Sequence, residues 1–359
     1  MPRPIAAGLA LGLLAAASFG TSGALVKPLL QAGWSPAAAV AVRVLIGGAV
    51  LLPIALVQLR GRWRTLWVGR WRILGMALVG VVGTQLFYFA SLQTIPVGTA
   101  ILIEYMAPLL LVLVAWVLSR RAPRAVVLIG SALAVAGLVL IVSPGGDGAL
   151  DPVGVALAAG AMVGAAGYYV IAARPAHGLP SIALACVALL LSAVLLGLVG
   201  LTGLLPMTAS FADVEVLGTV AAWWVPLLLV GVISTAIAYA SSISASAILG
   251  ARLAAFMGLL EVAMASFWAF LLIGEQLTPL QGLGGLLILG GIAFVRSDTG
   301  GDAEHADGIT GPAAPELDAE DGAAGPAVAA PTGDHVAHPS TAPIATAAPA
   351  KRRRSARLP

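Results

Sequence analysis

Charge is the scarcest commodity in this sequence. Only 10% of its 359 residues are Asp, Glu, Lys or Arg, whereas a soluble domain carries about 25%. With 60% hydrophobic residues and a mean hydropathy of +1.00, the chain has too little polar surface to fold as a soluble monomer. Cysteine is nearly absent too. Cys186 is the single one, which excludes an intramolecular disulfide and a cysteine metal cluster. Of the four histidines only His177 precedes residue 297, and it falls in a loop between apolar runs. No H-E-x-x-H zinc motif, no histidine able to serve a serine nucleophile and no G-x-x-x-x-G-K-[ST] phosphate loop can be found. These missing parts argue against an enzyme and against a resident cofactor or metal.

Acidic residues are the rarer sign before residue 297: seven acids stand against fourteen Lys and Arg. That basic excess reads as membrane topology rather than as affinity for nucleic acid. The apolar runs recur at the length of about 20 residues that a helix needs to cross hydrocarbon. They are continuous rather than alternating, so helices are expected in preference to a barrel. Ten spans are read, at roughly 5–30, 36–58, 72–93, 97–119, 124–143, 152–174, 180–204, 220–243, 248–273 and 279–296. The first could be mistaken for a cleaved leader, but its run continues to Leu30 and its pattern is reused later.

That reuse organises the whole chain. V-G-V-V-G-T at Val79–Thr84 returns as V-G-V-I-S-T at Val230–Thr235, and Tyr239 answers Tyr88, all shifted by 151 residues. Gly130 and Gly137 answer Gly284 and Gly291 at a shift of 154; Gly20, Lys27 and Pro28 answer Gly167, Arg174 and Pro175 at 147. A period of about half the chain means duplication.

The loops give orientation. Arg60, Arg62, Arg64, Arg70 and Arg72 lie between spans two and three, with Trp63, Trp67 and Trp71 among them as interface anchors. Arg120, Arg121 and Arg124 lie between four and five; Arg174 ends span six, Arg252 opens span nine and Arg296 closes span ten. The alternate loops hold Asp147, Asp151, Asp213, Glu215 and Glu275. The positive-inside rule then puts both termini in the cytoplasm of a plasma-membrane protein. Five spans per copy invert the second copy, as Arg121 against Glu275 illustrates. The expected fold is an all-α integral membrane protein of ten transmembrane helices in two inverted five-helix repeats, residues 5–143 and 152–296, followed by a disordered cytoplasmic tail at 297–359 that ends in a basic cluster. Duplicated channels and scaffolds exist, but this pattern is that of secondary transporters.

Ionisable residues inside hydrocarbon default to function or to pairing. Arg43 and Glu104 each lie about seven residues into their spans, ~10 Å deep, and are candidates for an ion pair that is either a clasp or a wall of the substrate path. Glu261 lies near the middle of span nine, ~18–20 Å deep, with no cation at matching depth. It is a candidate proton-coupling site, or else a hydrogen-bonded glutamate that pins helices. Lys27 and Arg174 read as snorkelling anchors. Further substrate-binding candidates are Gln85, Tyr88 and Ser91 along one broad face of span three, Thr235 and Tyr239 on span eight, and Tyr168 on span six. The pairs Gly8/Gly12 and Gly160/Gly164 and the glycines of span ten mark close helix packing, with a homodimer open.

The run I-P-V-G-T-A-I-L-I-E-Y-M-A-P-L at Ile95–Leu109, with Gly130 and Gly137, resembles an EamA domain of the drug/metabolite transporter superfamily. The stretch from Leu259 to Gly291, through G-E-Q-L-T, resembles a second. The resemblance implies ten helices in an inverted repeat, cytoplasmic termini, a cavity between the first four helices of each unit, and fifth and tenth helices as scaffold. It also implies export or exchange of small metabolites. Pro108 matches the family's helix-bending proline, and Glu275 the acid of its turn. Val262 departs from the family where the second unit has proline, and Arg121 where the first has the acid. The expected partners are the lipid bilayer, a small metabolite such as an amino acid, and protons as motive ion. The expected activity is outward secondary transport by alternating access; the alternatives are an uncoupled facilitator or importer, and a sensor or scaffold working through its tail.

Overall fold

A computed structural model describes residues 3–299 apart from 121–122, 143–149, 173, 175–177, 217 and 277, without the side chains of 3–4, 141–142, 251–256 and 295–299. Arg121, Asp147, Pro175, His177 and the tail from residue 300, and the side chains of Arg252 and Arg296, therefore lie outside the described residues.

Among the described residues the chain is nearly all helix. Seven helices are long and apolar enough to cross a membrane: Ile5–Gln31, Pro36–Gln58, Arg70–Ser91, Val97–Ser119, Pro152–Ala172, Ser181–Leu201 and Trp224–Gly250. Shorter apolar helices cover Ala125–Leu140, Met257–Ile273 and Pro279–Phe294. Continuous apolar sequence gives helices because, in lipid, each backbone N–H and C=O must find its partner within the segment.

In chain order the helices are α1 (Arg3–Gln31), α2 (Pro36–Gln58), α3 (Arg64–Val68), α4 (Arg70–Gly75), α5 (Thr84–Ser91), α6 (Val97–Glu104), α7 (Ala107–Ser119), α8 (Ala125–Val142), α9 (Pro152–Ala172), α10 (Ser181–Leu201), α11 (Trp224–Gly231), α12 (Ala238–Ile273) and α13 (Pro279–Thr299). A π-helical segment, Met76–Gly83, joins α4 to α5, and another, Val232–Ile237, joins α11 to α12. Ser35 caps α2, its hydroxyl accepting from the Ala38 amide. At the start of α9 the Asp151 carboxylate accepts from the amides of Val153 and Gly154. The Thr94 hydroxyl, with those amides, holds that carboxyl below its ordinary value.

Three departures from the sequence reading have local causes. The eighth apolar run begins as a helix at Trp224 rather than 220, because Val214–Val216 and Thr219–Ala221 pair as a short antiparallel hairpin turning at Gly218, φ +68°. The eighth and ninth runs remain two helices, grouped here as α12, but they meet at Gly250, where φ 77° and ψ 161° are open to glycine, rather than near 243–248. The fourth run is broken at Tyr105–Met106, between α6 and α7. Pro108, just inside α7, has no N–H to give the Glu104 carbonyl, so the helix cannot run through. Val262 stands at the matching place in α12, which continues unbroken there.

Helices of the two halves pack on each other in a reciprocal pattern. α1 lies along α12 while α9 lies along α5, α6 and α7; α2 pairs with α10, and α8 with α13. Small residues set these distances. Gly8 and Gly12 face Leu249 and Met257 of α12; Gly160 and Gly164 face Phe87 and Thr84 of α5. Gly137 lies against the Gly284 carbonyl, and Gly291 against the Gly130 carbonyl, two contacts that the 154-residue shift exchanges.

Candidate functional site

Within this bundle a polar cavity holds about 600 Å³ of empty space, open solvent included. Its carboxyls are Glu104, the last residue of α6, and Glu261 of α12. Tyr105 at the helix break, Tyr168 and Tyr169 of α9, Tyr239 of α12 and Phe19 of α1 supply five aromatic rings. Gln85 and Thr84 of α5 and Gly80 of the first π segment complete much of the wall. Both halves of the chain thus contribute to one chamber.

The geometry assigns different work to the two acids. Tyr105 Oη donates to Glu261 Oε2 at 2.6 Å, tying the break in the fourth run to α12. Glu104 makes no ion pair among the described residues and presents its carboxyl to the cavity. Tyr168 and Tyr169 meet edge to face at 5.7 Å between centroids, and Phe19 meets Tyr239 in the same way at 5.2 Å.

The expected Arg43–Glu104 ion pair does not form. Arg43 is 4% exposed and spends its donors on neutral acceptors. Nε donates to Thr235 Oγ1 (2.9 Å), Nη1 to Ser22 Oγ (2.7 Å) and Gln85 Oε1 (2.6 Å), and Nη2 to the Ser234 carbonyl (3.2 Å). Its guanidinium also lies 5.4 Å from the Phe89 ring centroid. Gln85, which lines the cavity, takes the guanidinium's bond instead. Arg43 is thus a clasp across α1, α2, α5 and the second π segment.

The face expected along span three divides. Gln85 lines the cavity, whereas Tyr88 is buried beside Gly23 of α1, and Ser91 turns its hydroxyl to the Tyr88 carbonyl at 2.7 Å. Six residues of α-helix rotate by about 240°, so Gln85 and Ser91 point a third of a turn apart. Thr235 is likewise buried outside the chamber; Tyr168 and Tyr239 line it. Tyr105 and Phe19 were not singled out by sequence, although Tyr105 directly follows a buried acid. Lys27 corrects its reading as a snorkelling anchor: it forms an ion pair with Glu275 and donates to the Ile95 carbonyl at 3.0 Å. Glu275 in turn accepts from the Val97 amide at 2.8 Å, at the start of α6.

The repeated motif has a structural counterpart in the two π segments. Thr84 Oγ1 donates to the Val79 carbonyl (3.2 Å) and Thr235 Oγ1 to the Val230 carbonyl (3.0 Å), the same i to i−5 bond at a shift of 151. Such bulges break the regular ladder and often mark functional sites.

Comparison with known proteins is consistent with this geometry. The model of the EamA-like transporter family matches residues 6–143 and again 152–297. An uncharacterized transporter of Bacillus subtilis (strain 168), YwfM, is 30% identical over 297 residues, which are 79% of this chain and 92% of that protein. A crystal structure 22% identical in sequence, with a TM-score of 0.53 over 80% of this chain and 96% of its own, has a similar fold.

Proposed function

This chain belongs to the EamA-like transporter family, and from that premise we propose that it is a secondary transporter working by alternating access. It carries a small amphipathic metabolite outward across the cell membrane. One observation supports this above the rest: a chamber lined by two carboxyls and five aromatic rings, with walls drawn from both halves of an otherwise apolar bundle. A structural scaffold has no use for two carboxyls at such a place, where each costs several kcal/mol to bring into hydrocarbon.

The architecture that goes with this reading has ten crossings in two inverted repeats, with both termini cytoplasmic. The exchanged glycine contacts of α8 and α13 and the matched bonds of the two π segments support it. In such a fold one unit rocks against the other around a fixed site.

The proton is the proposed coupling ion, with Glu261 as principal carrier and Glu104 second. Facing out, the Glu261 carboxylate takes a proton from the external water as substrate leaves. Facing in, it returns that proton to the cytoplasm as substrate enters. One proton therefore moves inward for each substrate moved outward. Tyr105 orients the carboxyl through its hydrogen bond. The test is flux of a metabolite mixture into proteoliposomes under an imposed pH gradient. Glu261→Gln should abolish gradient-driven flux, by more than about tenfold, while the protein elutes and melts as wild type. Gradient-driven flux of undiminished size in that variant would overturn the assignment of the coupling carboxyl.

A further inference from the structure

We propose that the substrate is a monovalent organic cation, a protonated or quaternary amine on an aromatic or similarly apolar body, and that it carries no free carboxylate. This rests on the transport reading above and narrows its substrate class.

The first ground is charge balance. Among the described residues, the charged groups that line the chamber or bond to its wall are Glu104, Glu261 and Arg43, two carboxyls against one guanidinium. With both acids ionised the set lacks one positive charge. A single proton supplies it, and so does a single organic cation, so the two occupy the chamber in alternation.

The second ground is which charge faces the ligand. Arg43 is the cation that a substrate carboxylate would need, and four of its five N–H donors are taken by Thr235, Ser22, Gln85 and the Ser234 carbonyl. It is not among the side chains that line the chamber, whereas Gln85, which accepts from it, is. An anionic group entering here meets two carboxyls and no free guanidinium.

The third ground is the helix break. α6 ends at Glu104, and both Glu104 and the following Tyr105 line the chamber. A helix C-terminus carries a partial negative charge and favours cations, and Pro108 leaves the Glu104 carbonyl without its usual helical partner. Interrupted helices with exposed C-terminal ends are cation sites in transporter folds. The five rings around this spot then supply what an amine's apolar body and charge both prefer, since a cation is attracted to the face of an aromatic ring. A hydrated metal ion would gain little from such walls.

Three matched probes test this on the purified full-length chain: 2-phenylethylammonium, 3-phenylpropionate and phenylalanine, titrated calorimetrically. The wild-type protein should bind the ammonium at least about tenfold more tightly than either carboxylate-bearing probe. Glu104→Gln and Glu261→Gln should each weaken the ammonium by about tenfold and leave the other two little changed. Equal or tighter binding of phenylpropionate or phenylalanine overturns the inference, as does failure of the ammonium to bind at all. The wild-type comparison decides this even where a variant folds poorly. Driven flux of an anion or zwitterion in proteoliposomes would sink the cation assignment while leaving the transport reading standing; absence of flux for every metabolite class would sink both.

Discussion

At the scale of single residues, Arg43 is fixed by four hydrogen bonds to three other elements. A guanidinium suits this task because its planar fork reaches several acceptors at fixed angles, which an ammonium cannot do. Arg43→Ala strands the groups that accept from it, and each buried polar group left unpaired costs roughly 1–3 kcal/mol. With Gln85 and Ser22 both released, the loss should be on the order of 3 kcal/mol, read as a fall of several degrees in the melting temperature of the detergent-purified protein. Arg43→Lys should recover only part of it. A variant as stable as wild type would refute the clasp. The presence of Arg43, Glu104 and Glu261 was legible in the sequence, because each interrupts a long apolar run. Their partners were not. Depth along a helix follows from counting residues, but the rotation that turned Arg43 towards Ser22 and Thr235, and Tyr105 towards Glu261, depends on how helices from distant parts of the chain pack. For the same reason Lys27 could not be matched with Glu275, which lies 248 residues away.

At the scale of elements, the glycines separate into those that hold helices together and those that do not. Gly291 on α13 lies against the Gly130 carbonyl and the Ala134 amide of α8, so any side chain there must push two backbones apart. Gly290, its neighbour in sequence, meets nothing within 4 Å and is exposed on the outer face of the bundle. Gly291→Leu should therefore lower the thermal stability by about 1–3 kcal/mol or more through overpacking. Gly290→Ala should leave it unchanged or raise it by up to about 1 kcal/mol, since alanine restricts the unfolded helix more than glycine does. Equal effects at the two positions would show that α8 and α13 do not meet through these glycines. Sequence indicated that span ten is unusually rich in glycine, yet not which face touches α8; that follows only from the register in which the two helices cross. The π segments illustrate a related limit. V-G-V-V-G-T and V-G-V-I-S-T were visible as a repeat, but nothing in the residue types announces a change of helical pitch. The threonine that ends each motif, bonded five residues back, is the signal seen with hindsight.

At the scale of the whole molecule, the proposed ten-crossing topology constrains which loops can touch. Crossing an even number of times between two loops returns the chain to the same side, so loops of one parity must be able to touch. The chain at 69–72 reaches the ends of the 172–179 stretch: Arg72 donates to the Ala172 carbonyl at 2.8 Å, and Gly69 lies beside Leu179. The other set is linked as well. Trp34 Nε1 donates to the Ser210 carbonyl at 2.6 Å, the Ser35 amide donates to the Thr208 carbonyl at 3.0 Å, and Glu275 binds Lys27 and the Val97 amide. The charges divide in the same way, with Arg60, Arg62, Arg64 and Arg70 on the first set and Asp213, Glu215 and Glu275 on the second. Single cysteines test the sidedness directly, in a Cys186→Ser background where the native thiol, buried and donating to the Gly48 carbonyl, is removed. Arg62→Cys and Arg121→Cys should react with a membrane-impermeant maleimide only in inside-out vesicles, and Ala209→Cys and Gln276→Cys only in whole cells. Labelling of positions 62 and 121 from opposite sides would break the count between them, and with it the inversion of one unit against the other that alternating access requires. Removing residues 297–359 leaves all of these contacts in place, so the truncated protein should retain its sidedness and its flux; loss of flux with sidedness intact would move the activity to the tail.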